Sequence, residues 1–308
     1  MQEKNEKTKV VVTGGAGFIG SNLVDALVEK GWVVHVVDNL SGGKKERVHS
    51  EAVFHEKDIR NLEEMKEIMK GAKYVFHLAA LPRVQFSIEH PIETNDVNVN
   101  GTLNVLLASK EAGVSKVIYS ASSSAYGDQD IMPLHEGMPA HPKSPYGLQK
   151  HIGELYCRLF SEVYELPTVS LRYFNVYGPK VDPDAAYALA FGLFLRLRKE
   201  GKPITVTGDG TQTRDMTHVL DVVRANILAA ETDSVGNGEV INIGSGKNNT
   251  INYLAELMGG EIIHIAPRLE PHDTLADNSL AKKLLGWEPI IHLKEGIEQL
   301  KKEFGITD

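Results

Sequence analysis

Residues 9–38, KVVVTGGAGFIGSNLVDALVEKGWVVHVVD, decide the fold. KVVVT at 9–13 is a continuous β-branched run, the pattern of a strand buried on both faces, and an apolar helical repeat follows from Gly17 to Lys30. Gly31 stops that helix. WVVHVVD at 32–38 makes a second buried strand, so the stretch predicts β-turn-α-turn-β, the unit from which parallel sheets are assembled. The rhythm continues outward, with strands expected at 52–55, 73–78, 116–120 and 167–171 and helices at 61–70, 92–112 and 145–165. The expected class is therefore α/β, a doubly wound parallel sheet. The start of the last helix is well marked, because Ser144 can accept a free backbone N–H and Pro145 suits the first helical position.

After Asn175 the rhythm loosens. A Gly-Pro turn leads to an apolar helix at 185–199 and then to ITVTGDGTQTR, where Asp-Gly between alternating residues predicts a hairpin. A helix at 218–231 and a strand at 239–243 are expected to rejoin the first region. The predicted organisation is a nucleotide domain at 1–173, with returns near 215–243, and a smaller α/β domain drawn mainly from 174–308.

Composition excludes several classes. At 308 residues and 42% hydrophobic the chain can bury a large core, which rules out disorder. The longest apolar run, 185–195, is too short to cross a bilayer, and the charged opening MQEKNEKTK lacks a secretion-signal pattern, so a cytoplasmic protein is expected. A single cysteine, Cys157, excludes an intrachain disulfide and a cysteine-based zinc site. No histidine pair stands at metal spacing near an acid, so no metal is expected. A formal charge of −8 argues against a nucleic-acid footprint.

Gly14, Gly17 and Gly20 lie between a predicted strand and a predicted helix, where small residues let the backbone approach a pyrophosphate and the helix N-terminus offers N–H donors. A bare glycine triplet also serves a tight turn; its placement here favours a dinucleotide. Asp38 ends the second strand, where a carboxylate accepts hydrogen bonds from an adenosine ribose and repels a 2′-phosphate, so NAD is expected over NADP. Tyr146 and Lys150 stand four apart on one helix and share a face. That spacing is common by chance. It gains weight from Ser122, Ser123 and Ser124 just past the strand at 116–120, at the edge where open sheets bind ligands. A neighbouring ammonium and an oxidised nicotinamide would lower the phenol's pKa from about 10 and make it a usable base.

Together these motifs resemble the extended short-chain dehydrogenase/reductases, specifically the UDP-hexose 4-epimerases. The likeness rests on TGGAGFIG (13–20), Asp58-Ile59, HLAA (77–80), NVNGT (98–102), SASSSAYGD (120–128), SPYGLQK (144–150), RYFNVYGP (172–179), GDGTQTRD (208–215) and LLGWEP (284–289). The resemblance implies a Rossmann-like sheet with a C-terminal substrate domain. It implies that Phe18, Ile19, Asp38, Asn39, Asp58, Ile59, Leu78, Ala79, Ala80, Asn98, Lys150 and Tyr173 hold NAD alongside the glycines. It makes Tyr146, Lys150 and Ser122 the catalytic set, with Ser123 the rival to Ser122, and gives Asn175 and Arg214 contacts to a nucleotide-sugar, the arginine on its diphosphate. By the same analogy the helices at 92–112 and 145–165 form a homodimer interface.

Related dehydratases and decarboxylases carry an acid within the serine-turn motif; SSSAYG has none, which favours epimerisation through a transient 4-keto sugar. Near the C-terminus, PRLEPHDTLADNS (267–279) departs from the family's Arg-x-Gly-Asp. A one-residue gap places Arg268 at the family arginine and Glu270 at its acid, and puts Thr274 at the position that gauges the C2 substituent. A threonine there leaves room for an acetamido group, so activity on UDP-GlcNAc/UDP-GalNAc as well as UDP-glucose/UDP-galactose is expected. Arg83, without a counterpart in plain hexose epimerases, keeps a UDP-glucuronate 4-epimerase as an alternative. A non-catalytic NAD-binding regulatory protein is the alternative of another class.

Overall fold

The computed structural model describes residues 7–183, 190–266 and 273–306. The opening stretch forms β1 (Lys9–Thr13), α1 (Phe18–Glu29) and β2 (Val33–Asp38), as its sequence requires. There follow β3 (Val53–Glu56), α2 (Leu62–Met69) and β4 (Tyr74–His77), with Asn61 capping α2 by accepting from the Glu64 N–H. The single helix expected at 92–112 is subdivided. A short α3 (Val84–Glu89) precedes α4 (Pro91–Asn95), a π-helical turn at Asp96–Gly101 and α5 (Thr102–Glu111). Then come β5 (Lys116–Ser122), α6 (Pro145–Tyr164) and β6 (Thr168–Tyr173). Ser144 caps α6 by accepting from the Gly147 N–H at 3.1 Å, and Pro145 takes the first helical position.

The remaining chain supplies β7 (Val176–Tyr177), α7 (Ala190–Lys199), β8 (Ile204–Thr207), β9 (Thr213–Asp215), β10 (Thr217–His218) and α8 (Val219–Glu231). It continues as β11 (Asn237–Ile243), β12 (Asn248–Thr250), α9 (Ile251–Met258), β13 (Ile262–Ile265), α10 (Ser279–Leu285) and α11 (Leu293–Glu303).

Seven strands form one parallel sheet in the order β11-β6-β5-β4-β1-β2-β3. The period of two sorts side chains to its faces: Val10 and Val12 of β1 pack with Leu23, Leu27 and Val222 under α1 and α8, while Val11 packs with Val75, Val105 and Leu106 under α5. Both faces are therefore apolar, which is why the strands read as continuous runs. The chain reverses its direction of strand addition between β1 and β4, and the crevice beyond their carboxyl ends is where such sheets bind ligands. A separate core of Phe191, Phe194, Ile204, Val206, Leu254 and Ile297 holds the smaller lobe together.

The expected hairpin at 204–214 does not form. β8 pairs in parallel with β13, and β9 pairs antiparallel with β12. Asp209 folds the turn locally by accepting from the Thr211 N–H at 3.0 Å, and Asn252 of α9 donates to the Asp209 carbonyl at 2.8 Å. The turn is thus docked on α9, and each flanking strand finds its partner in later chain, where Ile204 and Val206 are fully buried.

Candidate active site

A cavity of about 540 Å³ opens at the reversal point of the sheet, within the range of small-molecule and cofactor sites. Its floor is the turn from β1 into α1. The Gly14 N–H donates to Val37 O at 2.8 Å with φ at 74°, and a Cβ on Gly14 would lie 2.6 Å from the Ala79 nitrogen. A Cβ on Gly20 would lie 2.1 Å from the Gly14 carbonyl oxygen. Both positions therefore exclude any side chain, and the bare N-terminus of α1 faces the cavity, as an anionic pyrophosphate requires. Asp38 ends β2 with its carboxylate buried, accepting from the Ala16 N–H at 3.0 Å and the Leu40 N–H at 2.8 Å. Burial raises its pKa while those two N–H groups pull it back. The enclosed glycine turn, the helix terminus and this oriented carboxylate fit a dinucleotide.

Phe18, Ile19, Asn39, Asp58, Ile59, Leu78, Ala79, Ala80 and Tyr173 also line the cavity. Asn39 Nδ2 donates to Asp58 at 2.9 Å, and the Arg60 guanidinium beside Asp58 holds that carboxyl down at about 2. Tyr173 is anchored by Asn226 of α8, whose Nδ2 donates to its hydroxyl at 2.8 Å. Asn98 is placed differently. It is buried behind the wall, accepting from the Leu81 N–H at 2.7 Å and donating to Gln149 Oε1 at 2.8 Å, so it fixes the 78–82 loop to α6.

At the other end of the cavity stand Ser122, Ser123, Tyr146 and Lys150. The Tyr146 N–H donates to Ser87 Oγ at 3.1 Å, pinning α3 to the first turn of α6. Burial pushes the Tyr146 phenol above its usual value, and a hydrogen bond with the Ser122 hydroxyl pulls it down. The lowering expected from Lys150 is not the main effect in the protein alone. Lys150 directs Nζ to the Ser120 carbonyl at 2.7 Å, with the Tyr119 ring 4.9 Å beneath, and burial pushes its pKa down to about 8.

The substrate residues are spread more widely. Asn175 and Arg83 line the cavity; Arg214 and Thr274 do not. Thr274 Oγ1 accepts from Asn175 Nδ2 at 3.2 Å and from the Asp215 N–H at 3.1 Å, so it reaches the cavity through Asn175. Arg214 lies on β9, one residue before Asp215. Arg268, with Glu270, lies outside the described residues.

Sequence reasoning missed four contributors. His77 sits fully buried between Thr13 Oγ1 at 2.7 Å and Thr102 Oγ1 at 2.9 Å, tying the ends of β1 and β4 to the start of α5. Asp215 accepts from Ser245, Gly246 and Ala276 N–H groups and so orders the lobe beside Asn175. Arg47 and Asp182 line the cavity from loops without a distinctive motif. His77 and Asp215 do lie inside HLAA and GDGTQTRD, but their role is to buttress.

The profile of the NAD dependent epimerase/dehydratase family matches residues 10–244, most of the chain and all seven strands of the large sheet. The chain belongs to that family. It is similar to the UDP-glucose 4-epimerase of Thermotoga maritima solved with UDP-glucose, at 40% identity and a TM-score of 0.91 over 96% of this chain and 99% of that one. It is also similar to the UDP-N-acetylglucosamine 4-epimerase of Methanobrevibacter ruminantium M1 solved with UDP-N-acetylmuramic acid, at 36% identity and a TM-score of 0.90 over 96% and 99% of the two chains. A UDP-glucuronate 4-epimerase of Thermodesulfobacterium geofontis shares 38% identity over 94% of each sequence. Among the described residues no group of side chains could hold a metal ion, and no helix is long and apolar enough to cross a membrane.

Proposed function

We propose that this chain is a UDP-hexose 4-epimerase that works with NAD and interconverts UDP-glucose with UDP-galactose and UDP-GlcNAc with UDP-GalNAc. The observation that carries this is that Ser122, Tyr146 and Lys150 stand together in the wall of a dinucleotide-sized cavity, the phenol one helical turn from the lysine. No acid stands in the Ser122–Gly127 turn, where the related dehydratases carry one to help expel water.

When bound, NAD supplies a place for one hydride and returns it in the same turnover. Glycines 14, 17 and 20 and the α1 terminus hold its pyrophosphate, and Asp38 its ribose. Tyr146 takes the proton of the sugar's 4-hydroxyl, with the Ser122 hydroxyl aligning it, and gives it back once the 4-keto sugar has turned its other face. Ser123 lines the same edge. Lys150, held over Tyr119, supplies the positive charge that favours the phenolate. Asn175 in the cavity wall holds the nucleotide-sugar; Arg214 and Thr274 stand outside that lining, and the small Thr274 bears on the space for a C2 acetamido group through Asn175. A homodimer belongs to the same proposal, supported by the apolar face Leu148, Leu155, Leu159 and Val163 left exposed on α6.

Arg83 in the cavity wall favours one second reading, a UDP-uronic acid substrate, consistent with the glucuronate-specific relative. A panel test decides. The purified protein is incubated with UDP-glucose, UDP-GalNAc or UDP-glucuronic acid without added cofactor. Conversion of the first two is expected, and Tyr146→Phe should lower it by about 10² to 10⁴-fold while NAD stays bound. Turnover of the uronate alone would replace the substrate assignment; absence of NAD from the protein would overturn the proposal.

A further inference from the structure

An epimerase that returns its hydride gains from a cofactor that does not leave, and the cavity's roof is built accordingly. Residues 178–183 run from the substrate lobe across the N-terminal half of α1, and Val181 and Asp182 line the cavity. Asn22 of α1 donates to the Pro179 carbonyl at 2.9 Å. Lys180 Nζ pairs with Asp25 of the same helix and donates to Ser21 O at 3.3 Å. Its backbone N–H donates to Glu303 of α11 at 3.2 Å. Lys180 adopts φ of 65°, a left-handed conformation that costs an L residue about 1 kcal/mol and persists when surrounding contacts impose it. Beyond it, the Asp182 carboxylate meets Lys44 Nζ at 3.0 Å and Arg47 Nη2 at 3.6 Å. Those cations belong to the loop after β2, whose Lys44 N–H donates to Ala16 O in the glycine turn at 3.0 Å. Arg83 lines the same cavity.

We propose that residues 178–183 are a strap that retains the dinucleotide between turnovers, with the Asp182 ion pairs as its catch. This rests on the dinucleotide reading of the cavity above. The strap joins three walls of the cavity, and an ion pair between loops can open and reform without unfolding either lobe. Because the pairs are partly exposed, the catch weakens with salt.

The test is the dissociation rate of NAD, not turnover. Protein saturated with labelled NAD is chased with unlabelled NAD, and retained label is followed at low and high ionic strength. Asp182→Asn should release NAD about tenfold faster than the parent at low salt, two partly screened pairs being lost. Asp182→Glu should restore most of the retention, and added salt should speed release from the parent while leaving Asp182→Asn nearly unchanged. Lys180→Gln, which keeps the catch and loosens the strap's root, should give an intermediate rate. Equal rates for parent and Asp182→Asn, with NAD bound to both, would overturn the strap and leave the epimerase proposal standing. Failure of the parent to bind NAD at all would overturn both.

Discussion

Gly153 is the most sensitive test of how the catalytic pair is positioned. It faces β5 from the middle of α6, and a Cβ there would lie 2.2 Å from Tyr119 Oη, 2.4 Å from Cζ and 2.8 Å from Cε1. Ordinary carbon contacts are about 3.5–4.0 Å, so alanine is short by roughly 1 Å or more. Tyr119 cannot yield easily, being 1% exposed, with its hydroxyl donating to Lys150 O at 3.4 Å and its ring 5.6 Å from that of His77. The helix must lift instead, carrying Tyr146 and Lys150 with it. Alanine gains about 1 kcal/mol over glycine in a helix interior, while overpacking costs about 1–3 kcal/mol, so the clash wins. Gly153→Ala should lower stability by up to about 2 kcal/mol in urea titration. A misplacement near 1 Å should also cut the epimerisation rate by about 10²-fold. Tyr119→Leu in the Gly153→Ala background should recover stability by removing the obstructing ring. A Gly153→Ala protein that is more stable than the parent and fully active would refute this account of the helix–strand seam.

Three further outcomes are expected. Thr274→Tyr should remove conversion of UDP-GalNAc while sparing UDP-galactose, measured by product chromatography; equal loss on both would show that position 274 does not gauge the C2 group. Burial lowers the His77 pKa to about 3, so the unfolded state binds an extra proton between roughly pH 6.5 and 3. The stability associated with neutral His77 is complete above pH 6.5 and is lost as pH falls through that window, by at most about 1.4 kcal/mol per unit. His77→Gln should flatten the pH dependence of the urea midpoint by about one proton, and an unchanged slope would contradict it. Leu155→Glu with Leu159→Glu should convert a dimer to a monomer in sedimentation velocity, whereas a monomeric parent would dismiss the dimer.

Much of the fold was legible because its signals are local. The run from Lys9 to Asp38 specifies strand, glycine turn, helix and strand by composition alone, and Ser144-Pro145 marks the start of α6 within its own first turn. The 204–214 stretch misled for the complementary reason. Asp209-Gly210 does make a turn, but the partners of β8 and β9 lie about 58 and 35 residues downstream, and no local pattern names them.

The site divides in the same way. The sequence by itself determined that Gly14 and Gly20 leave the backbone bare, that Asp38 ends a strand, and that Tyr146 and Lys150 share a helix face, since each depends on neighbours within a few residues. Tertiary structure alone decided that Lys150 lies over Tyr119 and donates to Ser120, that Asn98 braces a loop from behind, and that Thr274 reaches the cavity through Asn175. It also brought Asp182 over to Lys44 and Arg47, across more than a hundred residues of chain. Those placements follow from burial and charge among groups that only the folded chain brings together.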